Sequence, residues 1–139
     1  MNFKEQNKNI IRGFRKLDVW NLGIQMYKDL HQLLISKKNI PYKISAQVED
    51  AVLSMSRNIA EGYARRTLKE NLRFYEIATA SSTEVYSQLF ALHQAGQISD
   101  DEFKPLDDRL YEFENKMIAM NKRLIEKLKN GSDWKEDYQ

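Results

Sequence analysis

Cysteine is absent from this chain of 139 residues. That excludes a disulfide scaffold, a thiolate metal site and a cysteine nucleophile together. Proline occurs twice and glycine five times, so the backbone has few places to break. No run of about 18 apolar residues exists to span a bilayer. The opening stretch, residues 1–18, has no apolar segment of the kind that marks a signal peptide, so a soluble cytoplasmic protein is the expectation. Neither sign of charge dominates: 22 Lys and Arg face 20 Asp and Glu, a formal net charge of +2, which by itself argues neither for nor against a nucleic-acid partner. The length suits one domain, since splitting it would leave two marginal cores.

What is present is helical periodicity. The spacing predicts a helix over 18–36, where Val19, Leu22, Met26, Leu30 and Leu33 adjoin a second row, Trp20, Ile24, Tyr27 and Leu34. It stops before Ile40-Pro41, because the residue before a proline disfavours helical geometry. A second helix is predicted over 42–62, with Ile44, Val48, Ala51, Met55 and Ile59 on one narrow stripe. A third, over 67–95, opens on Thr67-Leu-Lys-Glu70, a capping box in which the hydroxyl accepts an amide one turn in and the glutamate reaches back. Gly96 is its stop. A fourth, over 99–130, opens on a second box, Ser99 to Glu102, and carries Leu106, Leu110, Phe113, Met117, Met120, Leu124 and Leu128 along about 45 Å. Four amphipathic helices with short connections pack most simply as an all-α, up-down-up-down four-helix bundle. The bundle is expected over 14–130, with flexible ends at 1–13 and 131–139. The third helix is apolar over more than one face, Phe74, Ile77, Ala78, Val85, Phe90 and Ala91 joining the main stripe, which points to contact with another subunit. Trp20, Tyr63 and Tyr75 are further candidates for such a surface.

Chemistry of the catalytic kind is missing. A di-iron bundle needs Glu-x-x-His pairs, yet Lys28 stands three residues before His31 and Phe90 three before His93. Serine nucleophile elbows, glycine-rich phosphate loops and HExxH are absent too. No spacing singles out a carboxylate pair. The expectation is a non-enzyme with no catalytic, metal or cofactor residues.

Charge is unevenly placed. Residues 1–98 hold 14 basic and 9 acidic side chains, a net of +5; residues 99–139 hold 8 and 11, a net of −3. Basic side chains gather in the N-terminal arm (Arg12, Arg15, Lys16), around the first connection (Lys37, Lys38, Lys43) and around the second (Arg57, Arg65, Arg66, Lys69, Arg73). In an up-down bundle the arm and the second connection share one end. They would form a basic surface able to neutralise phosphates; an ordinary solvated rim, salt-bridged through Glu61 or Glu70, is the competing reading. Ser81, Ser82, Thr83 and Gly23 are small enough for close helix approach, and Asn58 near the second stripe needs hydrogen-bond partners if buried.

Three stretches carry a resemblance: Phe14-Arg-Lys-Leu-Asp-Val-Trp20, Arg57-Asn-Ile-Ala-Glu-Gly62 and Phe74-Tyr-Glu-Ile-Ala78. Their order and spacing resemble the small bacterial four-helix bundle proteins named after reading frames in intervening sequences of large-subunit ribosomal RNA genes, with Trp20, Asn58, Glu61 and Gly62 as motif residues. Such proteins are similar in fold to the accessory variability protein of diversity-generating retroelements, a pentamer that associates with reverse transcriptase and nucleic acid. The resemblance implies a non-catalytic homo-oligomer, a pentamer, whose partners are itself and RNA, DNA or a reverse-transcriptase-like protein. Nucleic-acid contacts then fall to Arg12, Arg15, Lys16, Arg57, Arg65, Arg66, Lys69 and Arg73. One departure lowers the positive charge of one face: Glu49-Asp50 stands where many relatives carry a basic pair. A structural scaffold for another protein, without a nucleic-acid role, is the alternative.

Overall fold

In a computed structural model that describes residues 8–131, 133 and 134, the chain is all-α. Five helices are present among the described residues: α1 (Lys8–Arg12), α2 (Asp18–Ser36), α3 (Tyr42–Tyr63), α4 (Leu68–Gln94) and α5 (Asp100–Lys129), with a 3-10 turn, Gly13–Lys16, between the first two. The periodicity predicts the four long ones to within a residue or two. The count of four is corrected by α1, which lies inside the stretch expected to be a flexible arm. Residues 1–7, the rest of that arm, lie outside the described residues, as do 132 and 135–139 of the expected tail.

Each long helix starts and stops for a chemical reason. Ser99 caps α5: its hydroxyl accepts from the Glu102 amide at 3.2 Å while the Glu102 carboxylate accepts from the Ser99 amide at 2.9 Å. Glu102 also takes a 2.7 Å ion pair from Lys37, and these bonds hold its pKa below the usual glutamate value, the Lys37 bond contributing most. At α4 only half of the expected box forms. The Thr67 hydroxyl accepts from the Glu70 amide at 3.2 Å without a return bond from Thr67 to the Glu70 carboxylate, and Thr67 pairs with Trp134 in an isolated antiparallel bridge. Gly96, at φ +72°, turns the chain out of α4 in the left-handed conformation that glycine adopts freely. Pro105 lies in the second turn of α5, where its missing N–H costs one helical bond without ending the helix.

Contacts between the long helices run in opposite numerical order, so neighbours are antiparallel. From α2 to α3, a β-carbon on Gly23 would lie 3.1 Å from Ser56 Cβ, and His31 Nδ1 is 2.7 Å from Glu49 Oε1. From α3 to α4, the Ser54 and Ser81 hydroxyls meet at 2.7 Å. From α4 to α5, Asn121 donates to Thr79 at 3.4 Å, and His93 stacks on Phe103 and pairs with Asp100. Finally α2 meets α5 through Lys116 and Asp18 at 3.4 Å and through Arg109 and Asp29. The enclosed core includes Met26, Leu30, Val52, Met55, Ile59, Leu89, Leu110 and Phe113, all fully buried. No helix of the described residues is long and apolar enough to cross a membrane.

Candidate nucleic-acid interface

One end of the molecule is assembled by two glycines and an asparagine. Gly13 packs directly on the Tyr63 ring, which leaves no room for a side chain and brings the 3-10 turn against the last turn of α3. Phe14 then sits edge-on to Tyr63 at 6.5 Å and beside Trp20 at 5.1 Å. Gly62 makes the equivalent close approach to α4: a β-carbon there would lie 2.8 Å from Phe74 Cβ and 2.9 Å from the Tyr75 ring. Asn71, buried in the first turn of α4, donates to the carbonyls of Gly62 at 2.5 Å and Arg65 at 3.0 Å. It thereby supplies a donor to the Arg65 carbonyl and a second one to the Gly62 carbonyl, which also accepts from the Arg65 amide at 3.1 Å. Asn71→Ala is expected to cost about 2 kcal/mol, from the loss of two bonds that join α4 to the end of α3, read as a shift in the urea midpoint at unchanged slope.

These contacts fix where the sequence-predicted basic residues stand. Arg12, Arg15 and Lys16 are exposed on the turn, whose backbone is tied down by Asn21 donating to the Arg15 and Leu17 carbonyls at 3.1 and 3.0 Å. Arg15 itself donates to the Arg12 carbonyl at 3.2 Å. Arg65 and Arg66 are exposed on the connection beside that turn. The Arg65 guanidinium lies over the Phe74 ring, 4.7 Å from its centre, a cation–π contact that orients it while leaving its other face to solvent. Lys69 and Arg73 are exposed and four residues apart, so they share one face of α4. Arg57 is exposed but set back, about 9 Å along α3 from Tyr63 at 1.5 Å per residue, and extends the surface rather than joining its centre. The cluster at the first connection stands at the opposite end, where Lys37 is bound to Glu102.

The structure adds basic residues that the linear charge count conceals. In α5 the acids occupy the first half and the bases the second: residues 100–114 hold seven acidic and two basic side chains, residues 115–129 one and five. Because α5 runs antiparallel to α2, its basic half returns to the same end. Lys16, Lys116 and Arg123 line one shallow groove of about 340 Å³ between α2 and α5. The acidic excess of the first half of α5 therefore belongs to the far end of the molecule. Lys116 is held by Asp18 and Glu112, which raise its pKa, the Glu112 bond most. Exposed Glu61 and Glu70 dilute the positive field locally.

The motif residues act in packing. Asn58 is buried and donates to the Ser54 carbonyl and hydroxyl at 2.8 and 2.9 Å, while Glu61 points to solvent. Trp20, Tyr63 and Tyr75, expected as markers of an external surface, are used within the chain. Trp20 and Tyr63 are half-buried around Phe14, and Tyr75 is buried against Gly62, where burial, with Tyr63 as a smaller contribution, pushes its phenol far above its usual pKa. The exposed apolar surface lies elsewhere. Tyr86 and Phe90 stack at 6.1 Å on α4, and Tyr111, Ile118 and Ile125, 65, 47 and 38% exposed, repeat every seven residues along α5 on the side turned toward α4. A period of seven on an otherwise charged helix was the signal available for these three. Of the doubly apolar third helix, Ala78 and Val85 are buried and Ile77, Phe90 and Ala91 exposed. Among the described residues no group of three or more His, Asp or Glu is placed to hold a metal ion.

The fold and this end together define a class, an all-helical protein with a preorganised basic surface built from three separate stretches of chain. A family profile described as 23S rRNA-intervening sequence protein matches residues 15–119, three quarters of the length, and the chain belongs to that family. It is similar to a solved structure described as a protein of unknown function from the S23 ribosomal protein family of Bacteroides thetaiotaomicron. The TM-score is 0.69 and the identity 16%, with 75% of this chain and 98% of that one covered, a likeness of fold. No curated protein matches the chain in sequence.

Proposed function

We propose that this chain is the non-catalytic subunit of a homo-oligomeric, up-down-up-down four-helix bundle protein, and that its basic end binds nucleic acid or a protein that carries nucleic acid. The observation that supports this reading most is the convergence of Arg12, Arg15 and Lys16, Arg65 to Arg73, and the basic half of α5 at one end. Chains that merely solvate their rim have no reason to gather three separate basic segments, and phosphate neutralisation with counterion release is the interaction such an arrangement favours. A titration of labelled RNA and of duplex DNA at 50 mM salt tests it. Micromolar binding supports the reading, and no binding of either polymer removes the nucleic-acid half.

Assembly rests on the exposed apolar stripe between α4 and α5, which a second protein surface would cover. The family resemblance sets the proposed copy number at five. Sedimentation equilibrium at tens of micromolar is expected to return about five times the 16.4 kDa chain mass, and a monomer contradicts it. The same stripe is the observation that favours a scaffold for another protein. A partner captured from nuclease-treated lysate by the apolar stripe, with no affinity for RNA or DNA, is the result expected of that alternative.

A further inference from the structure

After α5 the chain meets the start of α4 again, at Asp133 and Trp134. Gly131, at φ +87°, turns it in the left-handed conformation open to glycine and sends it back across the N-terminus of α4. There the Leu68 amide donates to the Asp133 carbonyl, the Lys69 amide donates to the Asp133 carboxylate at 3.1 Å, and Trp134 forms the antiparallel bridge with Thr67. Two of the three amides opening α4 are therefore satisfied by this strap, and the third, of Glu70, by Thr67. The strap thus meets the chain at Thr67 to Lys69, a stretch that Arg65 and Arg66 precede and Arg73 follows. It brings the Asp133 carboxylate to the N-terminus of α4, within that basic stretch of chain.

We propose that the strap is an intramolecular competitor for that surface: Asp133 stands where a phosphate of the nucleic acid would be drawn, and binding displaces the strap from the N-terminus of α4. This inference rests on the nucleic-acid reading above. Its physical basis is that the bonds from the Leu68 and Lys69 amides to Asp133 are ones a phosphate can replace. The four flanking cations and the dipole of α4 attract any anion offered to them. Releasing the strap exposes two amide donors at the moment a phosphate is available to take them.

The test uses two variants of the full chain and a fluorescein-labelled 20-nucleotide single-stranded RNA at 50 mM salt. In Asp133→Asn the capping geometry is kept and the charge removed, and the RNA is expected to bind about threefold tighter. In Thr67→Cys/Trp134→Cys, a chain otherwise free of cysteine, oxidation closes the bridge pair and fixes the strap. The oxidised form is expected to bind more weakly than the same protein reduced, by a similar factor. Equal affinity for wild type, the neutralised variant and both redox forms overturns the proposal and makes the strap a helix cap only. A gain on neutralisation with no difference between redox forms also overturns it, because the charge then acts without the strap leaving. If no form binds RNA at all, the nucleic-acid reading fails and this proposal with it.

Discussion

Replacing Gly62 with valine is expected to lower the free energy of unfolding by about 3 kcal/mol, at the upper end of what overpacking a close contact costs. The neighbour that a new β-carbon meets at 2.8 Å is Phe74 Cβ, an atom bonded to the α4 backbone. No rotamer change can move it. The Tyr75 ring, at 2.9 Å on the other side, is buried, so α3 and α4 must separate instead. The consequence reaches the basic end, because the Asn71 bonds to Gly62 and Arg65 and the stacking of Arg65 on Phe74 all span this gap. Urea unfolding is expected to show a lower midpoint, with the melting temperature falling on the order of 10 °C. A midpoint equal to wild type would mean that the helices are not in contact at Gly62.

Reversing the charge of the connection, Arg65→Glu with Arg66→Glu, is expected to weaken RNA binding about 100-fold at 50 mM salt while changing stability little. Both side chains are exposed, and losing the Arg65 stack on Phe74 at such a site costs only about 1 kcal/mol. Affinity responds more strongly because four units of charge change where phosphates would lie, and the two lost contacts each cost about one unit of salt dependence. Arg65→Lys alone is informative in a finer way. An ammonium keeps the charge but not the planar stack on Phe74, so an intermediate loss is expected. Unchanged binding by the double variant, measured by anisotropy on folded protein, would move the interface off this connection.

Much of this architecture was legible in the chain. The spacing of Val48, Ala51, Met55 and Ile59 and of Leu106, Leu110, Phe113 and Met117 defines buried stripes because helical period and core burial coincide. The caps Thr67 and Ser99 are local chemistry, visible at a separation of three residues. The gathering of Arg12 to Lys16 with Arg65 and Arg66 at one end follows from helix count and short connections, and Gly13 against Tyr63 shows the contact. Other features had no local signal. The strap joins Thr67 to Trp134 across half the chain, and nothing near either residue announces it. The charge reversal within α5 was present in the letters but vanished into the average over residues 99–139; only an antiparallel helix gives its two halves different neighbours. Tyr63 and Tyr75 pack within the chain rather than marking an outer surface because aromatic rings serve interior and interface alike, and Gly13 and Gly62 make room for these two rings.

Phosphate neutralisation by the basic end would be read in the salt dependence of binding. With about five to eight phosphates contacted by Arg12, Arg15, Lys16, Arg65, Arg66, Lys69, Arg73 and Arg123, the logarithm of the association constant for single-stranded RNA is expected to fall with the logarithm of salt at a slope of about −3 to −6. The Arg65→Glu/Arg66→Glu chain is expected to show a slope shallower by about one to two. A slope near zero, or no measurable binding at 50 mM salt, contradicts the account.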